Sequence, residues 1–122
     1  MYTGEKGMER SDMLELARET RKKIRKVFTD KVETITAYDI DDEPDHRTFK
    51  LNFAAYNYVW VEFDYENDWC EFFIVLNEAC KQSIHSKTKF SEITDWDAYL
   101  TGIMKEIELR IPEKYLKAKG WL

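Results

Sequence analysis

The sequence predicts an α+β domain: an N-terminal helix, an antiparallel meander of three to four strands, and a C-terminal helix broken at Pro112, packed as a two-layer α/β sandwich. Three observations carry this. Apolar residues recur at helical spacing near the start of the chain, alternate with period two from about residue 32 to 76, and return to helical spacing after residue 94. A length of 122 residues fits one core and leaves no room for a second. We read residues 1–10 as a flexible N-terminal tail and 11–122 as the single domain.

The first helix is expected from about Ser11 to Thr29. Ser11 can cap it, Asp12 and Glu15 suit the dipole of its first turn, and Arg25 and Lys26 suit its last. Met13, Leu16, Thr20, Ile24 and Val27, with Ala17 and Phe28 alongside, form the stripe that would face a core. Strands are expected at about 32–40, 48–54, 58–66 and 69–76, followed by an irregular stretch with room for a short strand near Glu78 to Ile84. A second helix should begin at Thr94 or Asp95, break at Ile111 before Pro112, and end after a short last helix at Gly120. Within it, Ala98 and Gly102 lie one turn apart, which would either leave a strip for close backbone approach or make Gly102 a tolerated surface glycine.

Register follows from keeping the apolar side chains on one face. Pairing Phe53 with Val59, Leu51 with Val61 and Phe49 with Phe63 requires a loop of Ala55, Tyr56 and Asn57. It also sets Lys50 opposite Glu62 and Asn52 opposite Trp60. The next hairpin matches Tyr65 to Cys70, Phe63 to Phe72 and Val61 to Ile74, with a turn at Asn67 and Asp68, residue types that tolerate positive φ. Its other face then pairs Trp60 with Val75, Glu62 with Phe73, Asp64 with Glu71, and Glu66 with Trp69. Two features there are unusual: like charges face each other at Asp64 and Glu71, and Tyr58, Trp60, Phe73 and Val75 gather apolar surface where a one-sided sheet is polar. If one helix covers each side of the sheet, these aromatics are core; if both helices share a side, the patch is open.

Charge is unevenly distributed. Residues 1–31 carry nine Lys/Arg against six Asp/Glu, residues 32–90 five against twelve, and residues 91–122 five against six. The acidic middle argues against a general nucleic-acid binder, whose affinity comes from basic contacts to phosphate. The basic run Arg21, Lys22, Lys23, Arg25 and Lys26 is read as the solvated face of the first helix, with RNA contact as an alternative. No apolar run approaches the ~20 residues of a membrane span, no secretory leader is evident at the start, and the two cysteines, Cys70 and Cys80, make no disulfide framework. A cytoplasmic location is expected.

Chemical motifs are sparse. The four glycines cannot build a phosphate loop. Asp39, Asp41, Asp42, Glu43 and Asp45 crowd the connection between the first two strands but lack the spacing of a calcium loop. Asp64 and Glu71 could share a divalent ion, and Cys80 with His85 could form a nucleophile and base, yet neither has a supporting third group. No cofactor, metal or catalytic residue is therefore assigned. The expected function is non-enzymatic protein recognition, in the manner of a small acidic inhibitor, immunity factor or adaptor. Tyr58, Trp60, Trp69 and Phe73 would contact the partner, with an acidic rim of Glu62, Asp64, Glu66, Glu71, Asp41, Asp42, Glu43 and Asp45 attracting a basic protein. A second copy of the chain is a further candidate partner. The alternative is a ligand-binding domain or enzyme with a carboxylate-lined cleft.

Overall fold

A computed structural model describes residues 12–122; the expected tail and the Ser11 cap lie outside these. The order is helix α1 (Asp12–Phe28), strands β1 (Thr36–Glu43), β2 (His46–Ala55), β3 (Val59–Glu66), β4 (Trp69–Asn77), β5 (Cys80–Ser83) and β6 (Thr88–Lys89), then helices α2 (Trp96–Glu108) and α3 (Glu113–Ala118). The strands form a single antiparallel sheet of six, in the order β1-β2-β3-β4-β5, with β6 also on β4. This is the expected two-layer α+β arrangement, with strands added beyond the fourth.

Both long helices pack on the same side of the sheet. The core joins Met13, Ala17, Ile24 and Phe28 of α1 and Leu100, Ile103 and Ile107 of α2 to Phe49, Leu51, Phe53, Val61, Phe63, Phe72 and Ile74 of the sheet. Phe28 meets Phe53 edge-on and Phe63 lies 4.8 Å from Phe72, centroid to centroid. Fully burying such side chains stabilises by roughly 1.5–3 kcal/mol each. Asp95 caps α2 by accepting from the Ala98 amide. Pro112 precedes α3, and Gly120 closes it with φ 77°, its amide bonding Lys117 and the Trp121 amide bonding Leu116.

Two expectations are corrected. The β2–β3 register is Phe53↔Val61, Leu51↔Phe63 and Phe49↔Tyr65, two residues from the predicted pairing. The tip does not project into water: Tyr56 is fully buried, its hydroxyl donates to Glu108, and the turn advances to Tyr56 and Asn57, with φ 60° and 51°. Burying that ring decides the register, because a slip of two leaves every side chain on its own face. Second, the first strand starts at Thr36 rather than 32 and runs through the acidic segment, so Asp39 to Glu43 form a strand with a bulge between Tyr38 and Asp41, where Asp39 has φ 52°. Of the two readings of Gly102, the surface glycine holds: it is exposed, and an added Cβ would meet nothing within 4 Å.

Candidate functional site

With both helices on one side, the opposite face of the sheet is left open among the described residues. β3 contributes Trp60, Glu62, Asp64 and Glu66 to it, and β4 contributes Val75, Phe73, Glu71 and Trp69, in the predicted β3–β4 register. The Asn67–Asp68 turn has φ 46° and 74° as the hairpin demands. From β5, Lys81 lies opposite Val75 and Ser83 opposite Phe73. On the other flank, Lys50 of β2 pairs with Asp64, and Tyr38 of β1 with Lys50. Lys50 therefore faces Asp64 rather than Glu62, and Trp60 faces Ala54 rather than Asn52.

The aromatic residues divide into two groups. Trp60, 55% exposed, and Trp69, 41% exposed, stand at opposite ends of the open face, and Phe73 is half-buried beside Trp60, its ring capped by Lys81. Tyr58 is not part of that face. It sits just beyond the β2–β3 turn with its ring 4.9 Å from Tyr115 of α3, in a cluster where Tyr115 also bonds the Tyr56 carbonyl and Trp121 meets Tyr56 edge-on. This aromatic cluster at the junction of sheet and helix is consistent with a protein-binding surface, since Tyr58 is 47% exposed.

The centre of the open face is an ionic network. The Lys81 ammonium lies 2.6 Å from Glu62 Oε2 and 2.8 Å from Asp64 Oδ2, and 4.2 Å from the Phe73 ring centroid. Tyr38 donates to Glu62 Oε1 at 3.1 Å. Ser83 donates to Glu71. The two like charges of Asp64 and Glu71 are thus each met by a different residue of β5, and the cation facing Asp64 is one the chain supplies itself. Among the described residues, no donor reaches the buried Asp64 Oδ1. Burial, and then the neighbouring Glu62, push the Asp64 carboxyl up to about 6. Burial alone would raise Glu62 as well, but hydrogen bonds from Asp64, Lys81 and Tyr38 outweigh it and hold Glu62 at about 2, so the pair shares one proton over a wide range. Burial and Glu62 together raise Tyr38 to about 12.

Two grooves flank the Asp64–Glu66 ridge. One, of about 340 Å³, runs between that ridge and Trp69, Glu71, Phe73 and Lys87; the other, of about 530 Å³, runs towards Asp39, Asp41, His46 and Lys50. The sequence reading puts Lys50 on this face, opposite Glu62, but does not bring in Lys81, Tyr38 or Ser83. The short strand allowed near Glu78 to Ile84 is β5, and it is the pairing of β5 with β4 that brings Lys81 over the carboxylates.

The remaining acidic residues have local roles. Asp42 accepts from the Met13 amide at 2.8 Å in the first turn of α1, which satisfies an otherwise orphaned helix donor. Asp41 is lowered by the Glu43 amide and then by His46, whose Nδ1 is 3.1 Å away. Glu43 and Asp45 are exposed at the β1–β2 turn. On α1, the basic run is partly engaged: Arg25 bonds the Glu33 carbonyl, Lys26 pairs with Asp97 of α2 at 3.3 Å, and Lys23 lies over the Trp96 ring. His85 packs edge-on against Tyr99 and lies 3.2 Å from the Ser86 carbonyl. Burial raises the Cys70 thiol to about 11, while Cys80 is exposed. Among the described residues, no group of three or more His, Cys, Asp or Glu is placed to hold a metal, and no helix is long and apolar enough to cross a membrane. The chain matches no protein-family model, no curated protein and no solved structure.

Proposed function

We propose that this chain is a non-enzymatic protein-recognition module that works by covering or blocking a basic partner, as a small acidic inhibitor, immunity factor or adaptor does. The observation that carries this reading is the uncovered sheet face, with two tryptophans at its ends and carboxylates between them. Exposed indoles are the side chains that most often anchor protein contacts. Carboxylates around them would speed encounter with a cationic surface. Two free thiols go with a cytoplasmic place of action.

A photoreactive phenylalanine analogue placed at position 60 tests this in the cell that makes the protein, with the same group at Lys22, 76% exposed on α1, as the comparison. Covalent capture of one defined protein from position 60 and not from position 22 supports the reading. Capture from neither, or equally from both, overturns it.

A second reading, a small-ligand or catalytic cleft, has one observation in its favour: Asp64 and Glu71 line a groove, and the Asp64 carboxyl is raised. It predicts a small molecule that protects the Asp64 region from hydrogen exchange, and no protein cross-link from position 60.

A further inference from the structure

The two most exposed large apolar side chains among the described residues lie not on the sheet but on the helical side: Leu109 at 78% and Leu122 at 61%. Both line one groove of about 440 Å³, where Ile111 and Leu116, themselves buried, form an apolar floor. The helix puts Leu109 there. Leu100, Ile103 and Ile107 bury the inner side of α2, so Lys105 and Leu109, four residues apart, share its outer side. One exposed leucine is ordinary, but two that border a groove with an apolar floor make a contiguous patch, and such patches mark contact surfaces.

Charge indicates which partner fits. Residues 1–100 carry fourteen Lys/Arg against twenty-one Asp/Glu, while residues 101–122 carry five against three. Two copies meeting through the acidic sheet would repel; at the helical end the two signs are nearly balanced. The rim of the groove is itself of mixed sign. Lys105 stands on its α2 side, exposed, and enters no ion pair among the described residues. Glu113 stands on its α3 side, in an exposed pair with Lys117. Glu108 also borders the groove but is engaged by the Tyr56 hydroxyl. A two-fold axis through the groove lays the α2 side of one copy on the α3 side of another. That one rotation brings each Leu109 to the other copy's apolar floor and each Lys105 to the other copy's Glu113, which is the self-complementarity a two-fold contact demands.

We propose that this groove is the contact between two copies of the chain, with Leu109 of each seated over Ile111 and Leu116 of the other and Lys105 of each paired with the other's Glu113. The contact lies on the helical side, so both open sheet faces stay free and the pair presents two of them. The patch is smaller than a standard interface, and the association is accordingly weak, with Kd on the order of 10–100 μM.

Sedimentation velocity of the full chain from about 5 to about 500 μM tests this. The weight-average sedimentation coefficient should rise from the monomer value to the dimer value across that range. Leu109→Glu should stay monomeric throughout with an unchanged melting temperature, since the side chain it replaces is exposed; Leu109→Ser serves if the glutamate variant does not fold. Lys105→Glu and Glu113→Lys should each weaken the dimer about fivefold, and the two together should restore it to within about twofold of wild type. A chain that is monomeric at every concentration overturns the proposal. So does a dimer that persists in both Leu109 variants, which would place the contact elsewhere, or a double variant that associates no better than the single ones, which would deny the two-fold pairing of Lys105 with Glu113.

Discussion

Asp64 faces Glu71 directly across the β3–β4 ladder, and β5 answers each in a different way, with the Lys81 ammonium for Asp64 and the Ser83 hydroxyl for Glu71. An unfavourable pair of like charges is thereby tied to a neighbouring strand. The stability of the sheet should accordingly depend on pH through the Asp64–Glu62 pair. Asp64 is raised from 3.8 to about 6, so the folded protein holds this proton more tightly than the unfolded chain; the contribution is complete below about 3.8 and disappears as pH rises through about 6. Glu62, held near 2, acts in the opposite sense, and its contribution disappears only as pH falls from 4.5 towards 2. Between about pH 4 and 6 the Asp64 effect should therefore lower stability, on the order of 1–2 kcal/mol for a coupled pair. Urea unfolding at several pH values should show that decline in wild type and its loss in Asp64→Asn; equal slopes would contradict it.

The fold was legible because its signals are local. Period-two alternation placed β2, β3 and β4 and decided which side chains share a face, and the helix start read near Thr94 or Asp95 and the stop read at Gly120 lie within a residue or two of the observed ends. What alternation cannot decide is a slip of two residues, and there Tyr56 decided the outcome by docking against Glu108, a contact made across 52 positions of sequence. The acidic stretch before Pro44 read as a loop because aspartate is a poor strand former; pairing with β2, including Asp42 opposite Arg47, overrides that preference. Of the candidate site, the open face and its β3–β4 pairs followed from register, while the ionic network did not, because Lys81 enters from a four-residue strand with no apolar pattern of its own.

Asp42 should matter to the fold. Its carboxylate accepts from the Met13 amide, so Asp42→Ala should cost about 1 kcal/mol, as loss of a helix cap does, and Asp42→Asn should restore most of it. Thermal unfolding of the two variants checks this, and equal stability of wild type and the alanine variant would remove the capping role.

Gly102 occupies the exposed side of α2 with open space around it. Gly102→Ala should stabilise the protein by about 1 kcal/mol through helix propensity alone. Destabilisation in chemical unfolding would instead mean that something packs close to this position.

Tyr56 is fully buried, and its hydroxyl donates to Glu108. Burial and that carboxylate push the phenol well above its ordinary range. Tyr56→Phe leaves Glu108 without this donor and should cost about 1–3 kcal/mol, measured by urea unfolding near neutral pH. A neutral effect would show that Glu108 is adequately solvated without it.

The most direct test of the open recognition face is Trp60→Ala, read in two ways on the same sample: capture of the protein that position 60 cross-links, and thermal unfolding. An exposed anchor predicts capture weakened by well over tenfold, in line with about 2 kcal/mol or more for a hot spot, with stability changed by no more than about 0.5 kcal/mol. Undiminished capture, or a large fall in melting temperature, would contradict the account.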